Sequence, residues 1–126
     1  TQKAKAAQEV LGISLEISPL EQFADQIQSV GAVSTLEAEN LIGEKIFLAG
    51  MRQAFRRFRN KSNQMLGLLT LEDLEGSISV FFPADIFRQS QMTLAEQGPF
   101  LVEGYVEKDE RSHRIRVIAK RIHLLS

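Results

Sequence analysis

The run Met65-Leu66-Gly67-Leu68-Leu69-Thr70-Leu71-Glu72-Asp73-Leu74-Glu75-Gly76-Ser77-Ile78-Ser79-Val80-Phe81-Phe82-Pro83 holds two segments of alternating character joined by a short acidic stretch that ends in glycine. Leu69 and Leu71 alternate with Leu68 and Thr70, while Ile78, Val80 and Phe82 alternate with Ser77, Ser79 and Phe81. A period of two sends successive side chains to opposite faces, so both segments read as strands with two chemically different faces. Glu72 to Gly76 forms the turn, where Asp accepts bonds from nearby backbone and Gly takes positive φ without a Cβ clash. The centre of the chain is therefore a β-hairpin, and its outer edges need further strands as partners.

Composition allows one folded unit. The 126 residues are 44% hydrophobic and 25% charged, an ordinary globular balance sufficient for one core. The absence of cysteine excludes disulfides and thiolate metal sites, and two separated histidines do not make a zinc set. With no charged n-region and no long apolar run, neither a signal peptide nor a membrane span is expected. The expectation is a piece of a larger cytoplasmic protein, with no membrane partner. The net charge of −1 hides an asymmetry, since residues 1–44 carry two basic and seven acidic side chains and residues 45–126 carry thirteen and nine. The basic half is the strand-rich half, a polarity that suits a polyanion.

Taken in order, Lys3 to Val10 is rich in helix formers and stops at Gly12. Ser18-Pro19-Leu20-Glu21 is a helix start, with Ser as N-cap, Pro at the first helical position and Glu to complete a capping box. Leu20, Phe23, Ile27 and Val30 then share one face before Gly31 ends the helix. Ser34-Thr35-Leu36-Glu37 opens a second, shorter helix that ends before Gly43. Lys45 to Arg59 reads as a long first strand with a bend at Gly50, and Asn60 to Gln64 as a polar loop. After the hairpin, a helix from Pro83 to about Ala95 turns Ile86, Phe87 and Leu94 inward. Strands follow at Phe100 to Lys108, with Phe100, Val102, Gly104 and Val106 on one face, and at Arg114 to Leu124, with Ile115, Val117 and Ala119 on one face. Five strands with a helix between the third and fourth is the element order of a mainly β, five-stranded OB-fold barrel, here preceded by a short helical segment. The expected division is a helical lead-in over 1–43 and an OB-fold nucleic-acid-binding domain over 44–126.

The hairpin from Leu69 to Pro83 resembles the second and third strands of OB domains of the anticodon-binding and polymerase-associated kind. Around it lie Gly43-Glu44-Lys45-Ile46-Phe47-Leu48-Ala49-Gly50-Met51-Arg52, Pro99-Phe100-Leu101-Val102-Glu103-Gly104, and Glu9-Val10-Leu11-Gly12-Ile13-Ser14-Leu15 with Pro19-Leu20 following. The ordered set resembles the OB domain, with its preceding segment, of the bacterial DNA polymerase III alpha subunit family and its error-prone repair homologue. Where that family commonly has His before the proline, this chain has Ser18. Phe100 to Gly104 leans towards the error-prone form.

No catalytic constellation is expected. Glu72, Asp73 and Glu75 read as solvated turn carboxylates, and the chain has no phosphate-cradling glycine loop or nucleophile elbow. The resemblance implies the same, because the nucleotidyl-transfer carboxylates of such polymerases lie in a separate domain. No cofactor and no metal are expected.

Binding is the stronger expectation. From Ile46 through Leu71 there is no acidic residue, while Arg52, Arg56, Arg57, Arg59 and Lys61 cluster with Phe55 and Phe58. Guanidinium groups hold phosphates and rings stack on splayed bases, so this mixture suits single-stranded nucleic acid. An alternating strand must also bury one face, so Phe55 and Phe58 each have a core reading beside the stacking one. A second basic group comprises Arg111, His113, Arg114, Arg116 and Lys120. The loops after strands one and four flank the same groove of an OB fold, so the two groups are expected to converge. Phe81 offers a stacking ring and Tyr105 a second, with a half-buried sheet position as its other reading; His113 reads as a polar loop residue.

The expected function is a single-stranded DNA-binding module that positions template near the active site of a bacterial polymerase. Its partners would be DNA, other domains of the parent polymerase, and replication or repair subunits. The alternative is a protein-docking OB module that meets an acidic subunit without touching DNA. A third reading, a synthetase anticodon-binding domain, fits the Leu11-to-Leu15 segment less well.

Overall fold

The computed structural model describes residues 20–125. The expected helix at Lys3 to Val10 and the Ser18 cap with Pro19 fall outside them. A 3₁₀ turn at Glu21–Phe23 leads into α1 (Ala24–Ser29), and α2 (Thr35–Ala38) follows. Five strands come next: β1 (Lys45–Arg59), β2 (Met65–Glu72), β3 (Ser77–Phe82), β4 (Phe100–Lys108) and β5 (Ile115–Leu124), with α3 (Ala84–Leu94) between β3 and β4. No described helix is long and apolar enough to cross a membrane.

The strands close into a barrel in the order β1-β2-β3-β5-β4, with β3 and β5 parallel and every other neighbour antiparallel. Closure depends on β1 serving two partners. Lys45 to Gly50 pairs with β4, and Met51 to Arg59 pairs with β2. Gly50, where the sequence predicts a bend, lies at the change of partner. A Cβ there would lie 2.6 Å from Leu71 Cγ and 2.7 Å from the Glu72 carbonyl oxygen, so a side chain would force the crossing strands apart.

The barrel core consists of the residues that the alternation marks as inward. Leu48, Leu69, Leu71, Val80, Phe82, Phe100, Val102, Val117 and Ala119 are fully buried. Burying each large aliphatic or aromatic side chain contributes about 1.5–3 kcal/mol, which is how five strands hold a barrel. α3 covers one end with Phe87 and Leu94 buried. Phe55 of β1 stacks on Phe87, with ring centroids 6.2 Å apart and planes 16° from parallel. Gly67 leaves room for this, since a Cβ on it would lie 2.8 Å from the Phe87 ring.

The lead-in helices pack on the barrel through specific contacts. The Ser34 cap forms as the sequence predicts: its hydroxyl accepts from Glu37 N at 3.0 Å, and Glu37 accepts from Ser34 N at 2.9 Å. Val33 bridges to Leu48, and Ala38 is fully buried in the core. Asp73 differs from the solvated carboxylate expected of it. It accepts from Thr35 N and Thr35 Oγ1, both at 2.8 Å, and from Glu75 N and Gly76 N, so one side chain shapes the hairpin turn and holds α2. The expected single helix is split into the 3₁₀ turn and α1; on its predicted face Leu20 is buried and Phe23 and Ile27 are half-buried, while Val30, just past the end of α1, is exposed.

Candidate nucleic-acid interface

The side chains outside the barrel follow from its register. β1 skips a residue at Gln53, where the pairing with β2 jumps between Arg52 and Ala54. Before the bulge the even-numbered residues Ile46 and Leu48 point inward, and after it Phe55 points inward while Arg56 and Phe58 point out. One extra residue inverts the alternation. The core reading thus holds for Phe55, whereas Phe58 stays 38% exposed.

Cross-strand pairing then aligns a row around the barrel. Arg56 pairs with Leu68, Leu68 with Phe81, Phe81 with Ile118, Ile118 with Tyr105, and Tyr105 with Lys45. The row is an outward apolar stripe with a cation at each end. Phe58 and Phe81 tilt towards each other at 45° with centroids 6.5 Å apart. Arg56 Cζ stands 5.8 Å from the Phe58 ring and Arg116 Cζ stands 5.1 Å from the Phe81 ring. Side chains from β1, β3 and β5 thus share one surface, on which Arg56 of the first basic group and Arg116 of the second flank the two rings. Further round, Lys120 Nζ lies 5.7 Å from the ring of Tyr105, which is 42% exposed. Lys120 lies on that side by alternation with Ile118, and the register shift that follows it turns Ile122 inward.

The other expected site residues take different places. Arg52 is half-buried, and its Nη1 donates to the Leu94 carbonyl at 2.9 Å, which ties β1 to the end of α3. Arg57 pairs with Gly67, on the side that faces Phe55 and Phe87, away from Arg56. It lines a cavity of about 460 Å³ with Arg52, Phe55, Phe87 and Leu94, which Arg56 also borders. Arg59 donates to the Asn63 carbonyl at 3.2 Å and steadies the β1–β2 loop. Asn60 Oδ1 accepts from Ser62 N and Gln64 N at 2.9 Å in that loop, and leaves Lys61 exposed at its tip.

Arg111, His113 and Arg114 are exposed in the β4–β5 loop. Asp109 organises this loop: it accepts from Ser112 Oγ at 2.7 Å and from Ser112 N at 3.3 Å, while His113 takes φ of 61°. The Ser112 hydroxyl is the main reason that the Asp109 carboxyl titrates below its ordinary range, with the Ser112 backbone N–H second.

Sequence reasoning passed over Leu68, Ile118 and Glu107. Leu68 shares parity with Thr70, and Ile118 with Arg116, so the alternation held the signal for those two. Glu107 gave none, because its place opposite Arg116 depends on the pairing of β4 with β5. Among the described residues, no group of three or more His, Asp or Glu side chains is gathered to hold a metal ion.

A closed five-stranded barrel of this order, with a helix between the third and fourth strands, is an OB fold. Solved structures share it: asparaginyl-tRNA synthetase from Pyrococcus horikoshii matches 77% of this chain and 23% of its own with a TM-score of 0.61 and 19% identity. A mitochondrial single-stranded DNA binding protein of S. cerevisiae matches 67% of this chain and 97% of its own, with a TM-score of 0.52 and 12% identity. At such identities the likeness is one of fold.

The homologues of the chain are DNA polymerase III alpha subunits. That of Bacillus subtilis is 33% identical over 118 residues, and that of Pseudomonas fluorescens 27% over 121 residues, covering 93% and 96% of this chain. The chain spans about 10% of the length of these relatives. No family model matches it.

Proposed function

We propose that this chain is a single-stranded DNA-binding module of a bacterial DNA polymerase III alpha subunit or its error-prone repair homologue, holding template near the polymerase site. The observation that carries this reading is the pair Phe58 and Phe81, outward on one face and flanked by Arg56 and Arg116. A stacked base contributes about 1–3 kcal/mol whatever its identity, and phosphate contacts carry no base information, so the surface suits binding without sequence preference. The catalytic step belongs to another part of the parent protein, and this module acts without cofactor or metal. Its working partners are the other domains of the parent and the replication or repair subunits around it, in the cytoplasm. The likeness to a single-stranded DNA binding protein and the homology to polymerase subunits support the same reading.

The test is fluorescence anisotropy of labelled oligo-dT, oligo-dA and duplex DNA at low and physiological salt. Similar weak affinity for both single strands, weaker binding of duplex, and loss of affinity as salt rises are the expected results. A second reading is favoured by the cavity between β1 and α3, where Arg52, Arg56 and Arg57 surround an apolar floor of Phe55, Phe87 and Leu94. That arrangement suits an acidic segment of a partner subunit. Failure of oligo-dT to bind even at low salt would put this docking reading first.

A further inference from the structure

Arg116 meets two partners at once on the outer face. Its Nε donates to Glu107 Oε2 at 2.8 Å, its Nη2 lies 2.7 Å from the same oxygen, and its Cζ stands 5.1 Å from the Phe81 ring centroid. Glu107 is directly opposite Arg116 on the β4–β5 ladder, so the strand pairing itself sets up the contact. The guanidinium is held by a carboxylate over the ring on which a base would stack. Arg56 makes a useful contrast: it lies over Phe58 but forms no ion pair among the described residues.

Resting on the nucleic-acid reading of this face, we propose that the Glu107–Arg116 pair is a latch over Phe81. In the free domain the cation is neutralised and the ring is covered. A single strand binds when one of its phosphates replaces Glu107 as the acceptor for Arg116, which frees the Phe81 ring for a base. A phosphate oxygen can accept from the same Nε and Nη2 donors that now share Glu107 Oε2, so the guanidinium need not move for the exchange. The pair is partly solvent-exposed, 34% at Arg116 and 42% at Glu107, and ion pairs so exposed are weak enough for a ligand to displace. Glu107 acts as a positioning residue: it sets how much of the charge of Arg116 the strand can use.

The experiment compares oligo-dT binding over a salt series for the wild type, Glu107→Gln, Arg116→Gln, the double variant, and Glu96→Gln. Glu96 is exposed beyond α3, and its variant makes the same charge change away from the face. Glu107→Gln is expected to bind roughly three- to ten-fold tighter at low salt, with the slope of log K against log salt at least as steep as in the wild type, because the same phosphate contact forms with no carboxylate to displace. Arg116→Gln should bind more weakly than wild type, and the double variant should match it. Thermal denaturation of each variant checks that the barrel remains folded. Equal or weaker binding by Glu107→Gln overturns the latch, as does an equal gain in Glu96→Gln. Should wild type and every variant fail to bind, the nucleic-acid reading falls and the latch with it.

Discussion

Phe58 of β1 and Phe81 of β3 meet across the intervening β2, centroids 6.5 Å apart, on the outside of the barrel. Two large apolar rings are held in partial exposure on a sheet face whose core side is already filled. Only a few positions away, Phe55 turns the other way and completes the contact with α3.

The two phenylalanines of β1 should therefore separate stability from binding. Phe55→Ala is expected to cost about 2–4 kcal/mol, because it leaves a void against Phe87. Phe58→Ala should cost about 1 kcal/mol or less and still weaken oligo-dT binding. Urea denaturation of both variants measures the difference. Equal destabilisation would mean that Phe58 belongs to the core.

Asp73 should matter far more than a turn carboxylate does. Asp73→Ala removes the acceptor for Thr35 N and Thr35 Oγ1, and Thr35 is only 1% exposed, so the loss leaves buried donors unpaired. A cost of about 1–3 kcal/mol is expected, with faster amide exchange across α2. Replacing Glu75, which is exposed in the same turn, should change little. If the two substitutions are equally mild, α2 is held by its apolar contacts alone.

Much of this architecture was legible. The bounds of β1 and β4 coincide with those read from alternation and turn residues, and β5 begins one residue later than expected, at Ile115. Period-two patterning and capping chemistry are local, so a sequence displays them. The bulge at Gln53 is not local, because it exists only relative to β2. Continuing the parity of Ile46 and Leu48 would have placed Arg56 and Phe58 inside. The bonds from Thr35 to Asp73 and from Arg116 to Glu107 likewise join residues that only the closed barrel brings together.

Opposite faces give Arg56 and Arg57 different roles. Arg56→Glu should weaken oligo-dT binding and make the salt dependence shallower by about 0.7, one phosphate contact. Arg57→Glu should leave that slope nearly unchanged, since it pairs with Gly67 on the side of β1 that meets Phe87, whereas Arg56 lies over Phe58. Anisotropy titrations over a salt series decide. Identical slopes in the two variants would mean that the strand crosses the β1–β2 loop where both side chains reach it.

Acid titration probes the β4–β5 loop. The Asp109 carboxyl is lowered chiefly by the Ser112 hydroxyl, so its folded value lies below its unfolded one. Its contribution to stability is present above the ordinary Asp range and is lost as pH falls through the lowered folded value. Ser112→Ala should raise the Asp109 pKa towards that ordinary range, as followed by NMR of the carboxyl carbon. An unchanged value would assign the shift to the remaining backbone bonds.

The most direct test of the proposed binding face is a chemical-shift map of the labelled domain titrated with oligo-dT. The account predicts perturbations at Arg56, Phe58, Leu68, Phe81 and Arg116, in one patch across β1, β2, β3 and β5, with α1 and α2 silent. Shifts confined to α3, Arg52, Phe55 and Arg57, or no shifts at saturating strand, would contradict it.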